Sequence, residues 1–254
     1  MVASVDGPIA RVTLRNPTRR NAQKPSTWLA LARVGESLPD AVRIVIVTGE
    51  GPSFCAGMDR RMFTPDGIPG ESSFLDLATS SDDEARAVIA SYQAGFTWLR
   101  GSRVVSIAAV QGHAIGAGFQ LALACDLRIA ADDAQFTMAE PSLGLVPDLG
   151  GTQPLVALVG YARALEMCAT GRRFGAAEAE RAGLVNRVVP ADRLGAATEE
   201  LVQALLATPV EAVRATKQLL IDAPNRTFDE QLAAERAAQV ERIRVLLGDP
   251  SKTA

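Results

Sequence analysis

The chain has 254 residues, 48% of them hydrophobic and 22% charged, with a formal net charge of −3, a composition that suits one sizeable core with at most a small appended unit. It has no basic field to support a nucleic-acid backbone as partner, no basic and apolar leader, and no apolar run of membrane-spanning length, since Gln111, His113, Gln120 and Asp126 interrupt the longest one. Three widely spaced cysteines among apolar neighbours, Cys55, Cys125 and Cys168, fit buried thiols in a reducing compartment, so the expected location is cytoplasmic.

In chain order, PIARVTL (8–14) and VRIVIVT (42–48) are short β-branched runs that read as strands. Between them, PSTWLALARVGESL from Pro25 places apolar residues at helical spacing. Residues 64–81, with Pro65, Gly67, Pro69 and Gly70, read as a loop. From Ser81, SDDEARAVIASYQAGFTWLRG has a serine cap, acids in its first turn and a terminal glycine, the punctuation of a helix. VVSIAAV (104–110) is a further strand, followed by Gly112, a helix starting near Gly116, and DLRIAA as another strand. Asp148 before LGGTQPLVALVG suits a helix N-terminus. After Pro190, three amphipathic helical segments follow one another without strands. The alternation of strands and helices implies an α/β architecture, divided into a core of residues 1–190 and a helical subdomain of residues 191–254.

Two glycine-containing turns precede helix starts, GEGPSFCAGMD (49–59) and GHAIGAGFQ (112–120). A helix start offers unpaired N–H groups and a positive dipole end, so two such turns converging would form an oxyanion hole; the same glycines also suit plain close packing. The spacing of Gly112, Gly116 and Gly118 does not follow G-x-G-x-x-G, which argues against a dinucleotide site. His113, the only histidine, reads as structural, and no G-x-S-x-G surrounds a serine, so a Ser-His-Asp hydrolase lacks its parts. Asp82, Asp83, Asp132 and Asp133 have no His or Cys beside them, so no metal is expected. Glu140, in FTMAEPSLG, sits among apolar neighbours, where burial raises a carboxyl pKa toward that of a useful base. Gln120 poses the sharpest question, because an unpaired amide in so apolar a stretch forfeits roughly 1–3 kcal/mol.

RNPTRRNAQ, GPSFCAGMD, VQGHAIGAGFQLALACDLRIAA, FTMAEPSLGLVPDLGGT and YARALEMCATGRRFGAAEAERAGLVNRVV occur in order over roughly residues 8–190. Together they resemble the enoyl-CoA hydratase/isomerase (crotonase) superfamily. The resemblance implies the ClpP/crotonase spiral of ββα units with a C-terminal helical subdomain, and assembly as a homo-oligomer, a trimer or a dimer of trimers. It implies an acyl-CoA substrate of the kind met in fatty acid metabolism, with coenzyme A as part of the substrate and no separate cofactor. The thioester oxygen would accept the backbone N–H groups of Met58 and Ala117. Arg19, Arg20, Ala22, Ala56 and Asp59 fall where the family contacts CoA, although Arg19 and Arg20 equally suit an ordinary surface. A typical hydratase has glutamates where this chain has Gln120 and Glu140, and only the second is kept; the Gln120 amide can still orient a water or a carbonyl. Asp148, where hydratases have a small residue, resembles a proton-transferring acid of some isomerases, the alternative being the helix cap. Met62, Phe63, Phe74, Leu77 and Trp98 are candidates for an acyl pocket. Double-bond isomerisation is thus expected ahead of 2-enoyl-CoA hydration, a lyase reaction; a non-catalytic acyl-CoA binding protein is the alternative of another class.

Overall fold

The structure, a computed structural model, describes residues 1–64 and 66–248; Pro65 of the expected loop and the last six residues of the tail lie outside the described residues. The chain runs through β1 (Val2–Asp6), β2 (Ile9–Leu14), α1 (Pro25–Glu36), β3 (Ile44–Gly49), α2 (Phe74–Thr79), α3 (Asp82–Thr97), β4 (Val105–Val110), β5 (His113–Ile115), α4 (Ala117–Ala124) and β6 (Leu127–Ala131). It continues through β7 (Gln135–Thr137), α5 (Thr152–Val159), α6 (Tyr161–Thr170), β8 (Phe174–Gly175), α7 (Ala176–Arg181), β9 (Arg187–Val189), α8 (Leu194–Leu206), α9 (Val210–Asp222) and α10 (Phe228–Leu247).

A six-stranded sheet has the order β1-β2-β3-β4-β6-β9, parallel except for β1, and a smaller sheet has the order β5-β7-β8. β3, β4 and β6 are mainly apolar and almost wholly buried, as parallel strands covered from two sides must be, with Ser106 and Arg128 as their buried polar members. The main core lies on one face, where Trp28, Leu31, Phe96, Leu99 and Phe119 meet the sheet. α8 covers the other face, setting Leu194, Ala197 and Val202 against Ile107, Ala109, Ile129 and Ala131. The first helix of the 191–254 segment therefore shares the layered core, whereas α10 buries no residue. These layers form the α/β architecture that the alternation of strands and helices implies. Among the described residues no helix is long and apolar enough to cross a membrane.

The structure departs from the sequence reading in four places. Residues 64–81 contain α2, nucleated by a capping box in which Ser73 Oγ accepts the Asp76 N–H (3.1 Å) and the Asp76 carboxylate accepts the Ser73 N–H (2.7 Å). α3 stops at Thr97, and Gly101 follows an extra 3₁₀ turn. His113 begins strand β5 instead of sitting in a turn, and its Nδ1 lies 3.0 Å from Ser53 Oγ. Asp148 caps no helix, because α5 starts at Thr152 with Gly151 as its N-cap.

Candidate active site

One cavity of about 450 Å³ gathers Met58, Ala117, Glu140 and Asp148. Its two glycine turns are brought together by close backbone approach. Gly57, at φ 88°, has no room for a side chain, since a methyl there would lie 2.6 Å from the Ile115 carbonyl oxygen and 3.8 Å from the Ala117 nitrogen. Beside it, the Gln23 N–H donates to the Gly57 carbonyl and the Asp59 N–H to the Gln23 carbonyl, both at 2.7 Å. This bridge uses the groups on either side of Met58 and leaves the Met58 N–H on the opposite side. Ala117 is the first residue of α4, so its N–H belongs to the helical turn that lacks intrahelical partners. Gly116 before it, at φ 51° and ψ −120°, holds a conformation open only to glycine.

The far end of α4 is tied down by Arg128. This residue is 3% exposed, donates to the carbonyls of Ala122 (3.3 Å), Cys125 (2.6 Å), Asp126 (3.1 Å) and Leu184 (2.6 Å), and has its pKa lowered by burial to about 10. A cation thus meets the negative end of the helix whose positive end faces the cavity.

Gln120 lies behind Glu140 instead of on the cavity wall. Its amide nitrogen donates to Glu140 Oε1 at 2.7 Å, and its oxygen accepts the N–H groups of Leu149 (2.9 Å) and Gly151 (3.2 Å). The question posed by a polar side chain in this apolar stretch is answered: the amide is satisfied and fixes the carboxylate. The geometry does not give Gln120 the expected water- or carbonyl-orienting place, because its oxygen is engaged by the loop before α5.

Glu140 is 8% exposed, and its Oε2 has no hydrogen-bond partner among the described residues. Burial raises its pKa above the usual carboxylate range, with the charge of Asp148 adding to the rise and the Gln120 amide opposing it. Asp148 opens onto the cavity, yet the protein crowding its carboxyl raises its pKa as well. The Gln93 amide holds the Asp148 carbonyl at 2.7 Å, linking this loop to α3.

The residues expected at CoA divide between two places. Ala56 lines the main cavity, while Arg19, Ala22 and Asp59 line a smaller one of about 230 Å³ that Arg15, Lys24 and Arg61 also border. Asp59 is buried, with Arg61 at 2.7 Å and Arg19 at 3.9 Å; the Arg61 hydrogen bond is the main reason its pKa is low. Arg20 borders neither cavity; its carbonyl accepts the Ala56 N–H at 2.8 Å, and its φ of 49° starts a tight loop. Asn21 braces that loop through the carbonyls of Glu50 (2.9 Å) and Ser53 (2.7 Å), a role with no mark in the sequence.

Met62, Phe63, Phe74 and Leu77 line the main cavity, but Trp98 packs against Gly35 of α1 and donates to the Gly95 carbonyl. Trp28, Ile89 and Tyr92 complete the apolar wall from α1 and α3. Sequence reading missed them because they look like ordinary helix core; only the structure brings Trp28 and Tyr92 together across two packed helices, with ring centroids 4.9 Å apart.

The profile of the Enoyl-CoA hydratase/isomerase family matches residues 5–245. "Probable enoyl-CoA hydratase echA8" of Mycobacterium tuberculosis is 34% identical over 230 residues, 90% of this chain and 82% of its own length. The peroxisomal Delta(3,5)-Delta(2,4)-dienoyl-CoA isomerase of Arabidopsis thaliana is 35% identical over 188 residues, 73% of this chain and 66% of its own. Among solved structures, a Thermobifida fusca protein provisionally assigned as an enoyl-CoA hydratase and crystallised with CoA superposes with a TM-score of 0.92 at 52% identity, covering 97% of this chain and 93% of that one. A paired-glycine cavity on this fold and matches of this extent lead to one assignment: the chain belongs to the enoyl-CoA hydratase/isomerase family and is an enzyme of the crotonase superfamily.

Proposed function

We propose that the enzyme moves the double bond of a 3-enoyl-CoA into conjugation with its thioester. The observation that carries this reading is the Gln120–Glu140 pair, a single carboxylate held by an amide whose oxygen two N–H groups already occupy. Adding water ordinarily draws on two acid–base groups, whereas moving a double bond needs one base that takes a proton and returns it. Glu140 removes the C2 proton, and the electron pair moves into the thioester carbonyl. The Met58 and Ala117 N–H groups stabilise the resulting oxyanion. Protonation at C4 restores the carbonyl and leaves a C2–C3 double bond, with Asp148 assisting at the C4 end. CoA enters as part of the substrate, its polar end directed toward Arg19, Ala22, Ala56 and Asp59.

The test is 3-enoyl isomerisation beside 2-enoyl hydration, on wild type and Asp148→Asn. Isomerisation is expected to be the faster reaction and to fall about tenfold or more in Asp148→Asn, within the range of acid–base assistance. Faster hydration would make the protein a hydratase, and tight thioester binding without either turnover would make it an acyl-CoA binding protein.

We also propose a homo-oligomer, a trimer or dimer of trimers. α10 leaves Phe228, Leu246 and Leu247 at 77%, 82% and 74% exposure, apolar surface that a second copy would cover. Light scattering is expected to give a multiple of the 26.8 kDa chain mass; a monomer at micromolar concentration would contradict this.

A further inference from the structure

We infer that the substrate carries an apolar acyl chain of medium length, about six to ten carbons, an inference that rests on the reading of the cavity as an acyl-CoA site. With the thioester oxygen at Met58 and Ala117 and C2 beside Glu140, one end of the acyl group is fixed. The remaining wall is apolar: Met62 and Phe63 precede α2, Phe74 and Leu77 lie on it, and Ile89 and Tyr92 face the cavity from α3. Phe63 stacks on Phe74 with centroids 4.7 Å apart, so the turn before α2 and α2 itself are joined through aromatic contact.

Among the described residues nothing closes this wall. Phe63, Leu143 and Val146 keep 40%, 49% and 73% exposure while lining the concavity. Open apolar surface of this kind inside a pocket marks the place of an apolar ligand. The space of about 450 Å³ has to hold the thioester end as well as the acyl chain, because Ala56, Met58 and Ala117 line it together with the apolar wall. Because the wall and the thioester donors line one continuous cavity, the occupant must enter joined to the thioester. That condition selects the substrate's own tail.

The experiment is kcat/KM across thioesters of four to twelve carbons, on wild type and on Leu77→Trp, with circular dichroism to verify folding. In wild type kcat/KM is expected to rise about fourfold per added methylene until the cavity is filled. The eight-carbon substrate should then exceed the four-carbon one by at least about tenfold. Leu77→Trp should lower that preference about tenfold, and Ile89→Trp, on the other helix, repeats the test if the first variant fails to fold. A wild-type optimum at four carbons, or a preference unchanged by both substitutions, overturns the inference. Neither binding nor turnover at any length overturns the functional reading itself, and the inference with it.

Discussion

Replacing Glu140 by glutamine is expected to lower kcat about 10³-fold or more while leaving the dissociation constant for acyl-CoA within a few fold, because the lost group acts on the proton in flight and not on the bound ground state. The substitution is nearly isosteric, and the Gln120 amide retains an oxygen to donate to. Steady-state kinetics and calorimetry on the same preparations separate the two effects; joint loss of binding and turnover would make Glu140 a structural residue. The pH profile supplies a second check. Burial, with Asp148 nearby, raises the Glu140 pKa, and a base works only when deprotonated. Activity should therefore fade on the acid side at a higher pH than an ordinary glutamate would dictate, and that limb should be absent from whatever residual rate the glutamine variant retains.

The second large effect is expected at Gly57. An alanine there must hold a φ of 88° and place its methyl 2.6 Å from the Ile115 oxygen, so the two turns have to separate. A shift of this kind misplaces one of the two proposed donors to the oxyanion, and losing one such donor costs about 10²–10³-fold in kcat. Gly7→Ala provides the control, because that position also has positive φ, 52°, but nothing within 4 Å of the added methyl. Comparable losses of kcat in both variants, with thermal melts showing both folded, would remove the convergent turns from the explanation.

Much of this architecture was legible in the chain. β2 and β3 announced themselves as β-branched runs, β4 and β6 as further strands after them, α3 through its serine cap, and the two turns through glycines whose φ values no other residue adopts comfortably. Short elements were not legible: β5, β7, β8 and β9 have two or three residues each, too few for a period to register. α2 was hidden by the prolines and glycines before it, although Ser73 and Asp76 already spelled its capping box. The site was legible in its residue types more than in its geometry. Glu140 could be picked out because a carboxyl in an apolar run must be buried or paired. The partners of the Gln120 oxygen, by contrast, are backbone N–H groups 29 and 31 residues further on, supplied by a loop whose path only the fold defines.

The anchoring of α4 at both ends has an evolutionary consequence. Within the dozen residues from Ala117 to Arg128, the chain supplies the proposed oxyanion donor, the amide that holds the proposed base and the cation at the opposite helix terminus. Glu140 and Asp148 arrive from a later stretch. On the proposed mechanism, mutations there can change which atom gains or loses a proton while the proposed enolate-stabilising end of α4 stays intact. Divergence within such a lineage therefore costs little at each step, consistent with relatives of this chain that are named for hydration and for isomerisation. Gln120 joins the two stretches through its hydrogen bond to Glu140, so a change there reaches the proposed base directly.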